Sequence, residues 1–173
     1  MSRCRGEHGV AHVTALDVGH GQLAAEVAAD PRVTDLPGTN VREVEATALG
    51  GPFDLVVADL SFISLTVVMG SLRALVRDEG DLVVLVKPQF EVGRERLSRT
   101  GVVSSVHERR RVLAAVVEAA TELGLQLHGA LASPIAGGDG NREFLLWLRP
   151  ARPGASPSDP DDMLGAIDLE GDQ

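Results

Sequence analysis

Two short apolar runs set the limits on what this chain can fold into. Residues 53–58, Phe-Asp-Leu-Val-Val-Ala, lead into Asp59, and residues 81–86, Asp-Leu-Val-Val-Leu-Val, lead into Lys87 and Pro88. Each is too short for an ordinary helix and carries Val and Leu without alternation, the pattern of a strand covered on both faces. Between them, residues 62–77 space Ile63, Val67, Leu72 and Leu75 as on a helix face, with Ser61 or Ser64 placed to cap it. Strand, helix and strand in this order predict a βαβ unit in a parallel sheet, and so an α/β fold.

Open α/β sheets bind ligands outside the carboxyl ends of their strands. Both runs end there on an ionisable residue, Asp59 and Lys87, and Pro88 helps to stop the second strand because it has no N–H. A carboxylate and an amine at neighbouring tips form either a shared site or a salt bridge at the rim.

The rest of the chain extends this sheet. Residues 10–16 alternate toward Asp17, and the Ala-rich residues 22–29 favour helix. An acidic residue at the end of a second strand grips ribose hydroxyls in nucleotide-binding sheets; an Asp in this place also caps the next helix. Residues 33–36 suggest an edge strand and residues 41–49 one or two helical turns. Ser104 or Ser105 opens a helix reaching about Leu123, with Val106, Val112, Leu113, Val116, Val117 and Ala120 as its buried stripe and Gly124 just past its end. Residues 125–131 form a strand, and the run 144–148 is the last one. If that strand is antiparallel to the others, Glu143 comes to the same end of the sheet as Asp59 and Lys87.

With 173 residues, one domain with a true core is expected, over residues 1–149, followed by a disordered acidic tail over 150–173 in which residues 163–169 form at most a marginal helix. No apolar run nears the roughly 20 residues of a membrane span, and no apolar segment follows the basic N-terminus. The single Cys4 forms no internal disulfide, so a cytoplasmic setting and no membrane partner are expected. The histidines have no metal-ligand spacing, so no metal is expected. Net charge is −9, but the tail carries −5 of it, and arginines cluster at Arg94, Arg96 and Arg99 and at Arg109, Arg110 and Arg111. A local patch can still meet RNA phosphates. The first cluster lies a short loop after Lys87 and is the better placed for substrate, whereas the second reads as a solvated helix face.

The blocks VTALDVGHGQL, TNVRE, DLVVADLSFISL, LVKPQFEVGRE and SPIAGGDGNREFLLWL, with the turn at residues 101–103, together resemble the TlyA (hemolysin A-like) family over about residues 9–149. The resemblance implies an S-adenosylmethionine-dependent ribosomal RNA (cytidine-2′-O)-methyltransferase acting on 16S or 23S rRNA. It also implies an FtsJ-like, Rossmann-like sheet with helices on both faces. The family uses a Lys-Asp-Lys-Glu tetrad. Asp59 matches its Asp, Lys87 its second Lys and Glu143 its Glu. Asp17, with Val18, matches the cofactor-ribose position, Asn40 and Val41 the loop beside the adenine, and Asp59 also borders the cofactor. Arg94, Arg96 and Arg99 are the candidate RNA contacts.

The sequence departs from the family's pattern at its start. The segment holding the first tetrad Lys, the first strand and a glycine-rich loop resembling GASTGGFT have no counterpart here. The resemblance therefore implies a sheet with a gap between the Asp17 and Asp59 strands, weak cofactor binding, impaired activity and a sheet edge open to self-association. The alternative is a non-catalytic remnant that binds RNA or a partner protein. A secreted hemolysin and a nicotinamide-dependent dehydrogenase are poorer matches, since no amphipathic membrane stretch is present and fold alone does not give function.

Overall fold

A computed structural model of the chain describes residues 9–93, 95–138, 140–152 and 159–170. It divides into two compact units, residues 1–50 and 51–173.

In the first unit, β1 (Val13–Asp17) and β2 (Val33–Pro37) pair in parallel, from Val13 opposite Val33 to Asp17 opposite Pro37. The helix expected over residues 22–29 shrinks to the single turn α1 (Ala25–Ala28), because Ala24 at its start offers no capping side chain. Asp17 caps no helix; its Oδ1 accepts the Gly19 N–H at 2.7 Å instead. Two 3₁₀ turns follow, Val41–Glu43 and Ala46–Leu49. Asn40 caps the first by accepting the Arg42 N–H, and Gly50, at φ +82°, closes the second.

The second unit runs β3 (Phe53–Ala58), α2 (Leu65–Leu75), β4 (Val76–Val86), α3 (Pro88–Glu91), α4 (Val106–Glu122), β5 (Leu125–Ala132), β6 (Phe144–Pro150) and α5 (Pro160–Gly165). Its sheet order is β3-β4-β6-β5. β3 and β4 are parallel, while β6 runs antiparallel between β4 and β5. The expected βαβ unit is therefore present, as is the antiparallel last strand. The described residues form two sheets, and no strand joins them.

α2 begins later than residue 62 for a local reason. Phe62 has φ +65°, which no helix accommodates, and Ser64 provides the cap by accepting the Thr66 N–H. β4 begins earlier than expected, with a register jump between the Phe53–Val76 and Leu55–Asp81 pairs. Gly80 sits inside that bulge, where a Cβ would stand 2.9 Å from the Phe53 carbonyl oxygen. The two apolar runs differ in burial. Leu82, Val84, Leu85 and Val86 are buried, but in β3 only Ala58 is, because β3 is the outer strand of its sheet. α2 and α4 pack on each other, α2 against β3 and β4, and α4 against β5, with Val68, Met69, Val116, Phe144 and Leu146 fully enclosed.

Residues 159–170 differ from the expected disordered tail over 150–173, of which residues 153–158 and 171–173 lie outside the described residues. Asp159 caps α5, Pro160 occupies its first turn, and Leu164, Ile167 and Leu169 are buried. Acidic and proline-rich composition masked three apolar side chains with a surface to cover.

Candidate active site

The site is built where β3 and β4 end. Parallel pairing of Ala58 with Val84 brings both strand ends together, and Lys87 Nζ meets Asp59 Oδ1 at 2.7 Å. The same ammonium donates to Ser61 Oγ at 3.0 Å. The Lys87 side chain is only 14% exposed while Asp59 is 44% exposed, so the pair is open from the carboxylate side. Pro88 starts α3 directly after Lys87 and stops the strand there.

Glu143 reaches the same end from the other direction. Val86 pairs with Phe144, so the residue before Phe144 stands level with the one after Val86. Glu143 is buried at 8% exposure, and its carboxylate accepts a long bond from Gln89 Nε2 at 3.4 Å. Gln89 Oε1 is buried without a hydrogen-bond partner among the described residues. Gly137 closes over this carboxylate, and a Cβ there would stand 2.6 Å from Glu143 Oε1.

Two loops are tied together beneath the pair. Glu91 accepts from Ser64 Oγ at 2.6 Å and from the Leu65 N–H at 2.8 Å, joining the Lys87 turn to the start of α2. Burial pushes the Glu91 carboxyl above its ordinary value, against the opposing pull of those two hydrogen bonds. Between the tied points Phe62 projects, 91% exposed, its ring 5.1 Å from that of Phe90. Exposure of a large aromatic on a left-handed backbone beside an ion pair is unusual for a packing residue.

The candidate cofactor residues lie in the first unit, at the carboxyl ends of β1 and β2. Asp17 is exposed, with Oδ1 fixed by Gly19 and its backbone oxygen accepting the Thr39 N–H at 2.8 Å. The other carboxylate oxygen carries no hydrogen bond among the described residues, which fits a ribose diol. Gly19 permits this approach, since a Cβ there would lie 3.1 Å from Asp17 Oδ1. Val18 is 70% exposed; Val41 is half-buried and follows Asn40, whose amide is occupied by Arg42 and Glu43.

The arginines divide differently from expectation. Arg94 lies outside the described residues. Arg96 is exposed with a loose 3.5 Å contact to Glu108, and Arg99 is exposed. In the second cluster Arg110 is exposed and Arg111 pairs with Glu108 at 2.8 Å, but Arg109 is buried, so that cluster is not simply a solvated face. Sequence reasoning missed Phe62, taken there as a helix residue, and Gln89, Glu91, Arg109 and Asn141. Phe62, between Ser61 and Ile63, gave no signal of its left-handed backbone.

The model of the FtsJ-like methyltransferase family matches residues 2–150. The chain belongs to the FtsJ-like methyltransferase family. Within it, the chain is 50% identical over 143 residues to the 16S/23S rRNA (cytidine-2′-O)-methyltransferase TlyA of Mycobacterium tuberculosis, covering 83% of this chain and 53% of that protein. It is 31% identical to Hemolysin A of Brachyspira hyodysenteriae, over 82% of this chain and 60% of that one. A crystal structure from Lactococcus lactis, described as a candidate hemolysin, matches with a TM-score of 0.82 at 32% identity, over 92% of this chain and 77% of that one. The chain spans about half the length of the M. tuberculosis relative. An FtsJ-like chain with this βαβ unit and antiparallel last strand carries its ionisable triad at one sheet end. Among the described residues no group of side chains could hold a metal ion, and no helix is long and apolar enough to cross a membrane.

Proposed function

We propose that this chain carries the catalytic part of an S-adenosylmethionine-dependent ribosomal RNA 2′-O-methyltransferase acting on cytidine, in the cytoplasm. The observation that carries the reading is the Lys87–Asp59 pair at 2.7 Å, with Glu143 level with Lys87 across the β4–β6 register. Family membership and the TlyA relative support it. When bound, the donor would supply an electrophilic sulfonium methyl group: the C–S bond would break, leaving a neutral thioether, as the ribose 2′-oxygen forms the new C–O bond and gives up its proton.

The chain's own residues then have separable tasks. Lys87 takes the hydroxyl proton or holds the oxygen in line, and Asp59 and Ser61 fix its amine in place. Glu143 borders the same space from β6. In the first unit Asp17, with Val18, Asn40 and Val41, is the candidate set for the donor's ribose and base; in the second unit Asp59, beside Lys87, is a separate candidate donor contact. Phe62 offers an exposed ring on which an RNA base can stack, and Arg96 and Arg99, with Arg94, would meet phosphates.

We further propose that these 173 residues alone bind the donor weakly, since no segment resembling GASTGGFT is among them. The test is methyl transfer from labelled S-adenosylmethionine to 16S and 23S rRNA, beside calorimetric titration of the donor. Both are run on the chain and on a version extended with the family's N-terminal segments. Transfer by the extended protein that is lost in Lys87→Ala supports the reading. Transfer unaffected by Lys87→Ala overturns the site reading built on Lys87, and RNA binding with neither transfer nor donor affinity in either protein overturns the proposal in favour of a non-catalytic remnant. Self-association through an open sheet edge would show as a concentration-dependent mass in sedimentation.

A further inference from the structure

We propose that residues 159–170 form a latch, and that Arg109 and Arg142 are positioning residues through which it sets the loop after Lys87 and the start of β6. Its meaning for catalysis rests on the function proposed above; its geometry does not.

The two residues before Glu143 are each held from outside β6. Asn141, 1% exposed, accepts the Val103 N–H on Oδ1 at 2.9 Å and donates from Nδ2 to the Gly101 carbonyl at 2.9 Å. Arg142 donates from Nε to the Asp168 carbonyl at 3.0 Å and pairs with the Asp168 carboxylate at 2.5 Å. Arg109 completes the connection from α4. It donates from Nε to the Val103 carbonyl at 2.8 Å and from Nη1 to the Leu169 carbonyl at 2.6 Å. A longer bond reaches the Glu170 carbonyl at 3.4 Å. Val103 is thus gripped on its N–H by the residue two before Glu143 and on its C=O by a guanidinium that also holds the C-terminal segment.

The grip is dry. Arg109 is 7% exposed, Val103 6%, and Val103 packs with Val92 and Val112 and against Leu97. That packing fixes both ends of the loop carrying Arg96 and Arg99. Burial holds the Arg109 guanidinium below its ordinary value, Arg142 adds to this and Asp168 opposes it. Leu164, Ile167 and Leu169 are themselves buried, so the C-terminal segment is packed on the protein and not loosely attached. Without the segment, the Arg109 guanidinium keeps the Val103 carbonyl, loses those of Leu169 and Glu170, and exchanges them for water. The loop then has reason to rearrange.

Hydrogen exchange on the full chain, a chain ending at Arg152 and the full-length variants Asp168→Ala and Arg109→Lys tests this directly. The Val103, Asn141 and Glu143 amides are expected to exchange about tenfold faster or more in each altered chain, while Leu82, Val84 and Leu127 change by less than about twofold. Equal acceleration everywhere would mean a general stability element and overturn the latch, as would no acceleration at the three amides. If the shortened chain does not fold, the two full-length variants decide. Methyl transfer forms a separate arm. In the extended protein, Asp168→Ala is expected to lower kcat about tenfold with the donor KM unchanged. If the unaltered protein transfers no methyl, the functional reading fails while the exchange data still decide the latch.

Discussion

Lys87 is held at two points, by a carboxylate and by a hydroxyl, so its amine has a fixed address at the end of β4. Lys87→Ala is expected to reduce methyl transfer by about 10²–10⁴-fold, the range of a lost acid–base group, with an unchanged melting temperature. A transfer rate within a few-fold of wild type would remove Lys87 from the chemistry. Asp59→Asn keeps the shape and an acceptor oxygen but removes the negative charge that faces Lys87. It should cost less than Lys87→Ala, and comparing their pH–rate profiles separates a proton-taking lysine from an oxygen-holding one. Phe62 makes the opposite kind of prediction. Phe62→Gly relieves a left-handed backbone at φ +65° and should raise stability by about 1 kcal/mol in chemical denaturation. The same change should weaken RNA binding by about 1–3 kcal/mol if the ring stacks a base.

The element that organises the site is the β3–α2–β4 unit, and Glu91 joins its two loops. The folded state holds the Glu91 carboxyl above its ordinary value through burial, so it binds this proton more tightly than the unfolded chain does. Stability from this group is therefore fullest below the unfolded carboxylate range. It declines as pH rises through that range to the raised folded value, and is level above it. Glu91→Gln lacks this titration. The stability difference between variant and wild type, followed by denaturation across acidic pH, should shift in the variant's favour as pH rises. A pH-independent difference would sink the assignment. Behind the same unit, Phe144→Ala empties a fully buried site on β6 and should cost about 3–5 kcal/mol. A loss under about 1 kcal/mol would mean that the β4–β6 packing does not anchor Glu143.

For the whole molecule, a net charge of −9, of which −5 is C-terminal, disfavours a broad electrostatic RNA surface, so the proposed RNA binding would rest on a local patch. Binding of an rRNA fragment should then show a shallow salt dependence, with a slope of log K against log salt on the order of −2. Arg96→Ala and Arg99→Ala should each flatten it. A slope steeper than about −6 would require cations beyond this loop.

The sequence by itself determined the elements and the residues that end them. Short Val/Leu runs marked two strands, of which only the second is covered, and so put Asp59 and Lys87 at strand ends, and an antiparallel last strand brought Glu143 level with them. Those signals are local or follow from one pairing rule. What only the tertiary structure decided depends on distant partners. A burst of acidic, proline-rich residues gave no sign that Leu164, Ile167 and Leu169 would find a surface. An arginine on a helix gave no sign that it would be enclosed between Val103 and Leu169, residues far apart in the chain. The left-handed turn at Phe62 belongs to the same class. Burial and backbone strain are set by what packs against a residue, and composition does not record its neighbours in space.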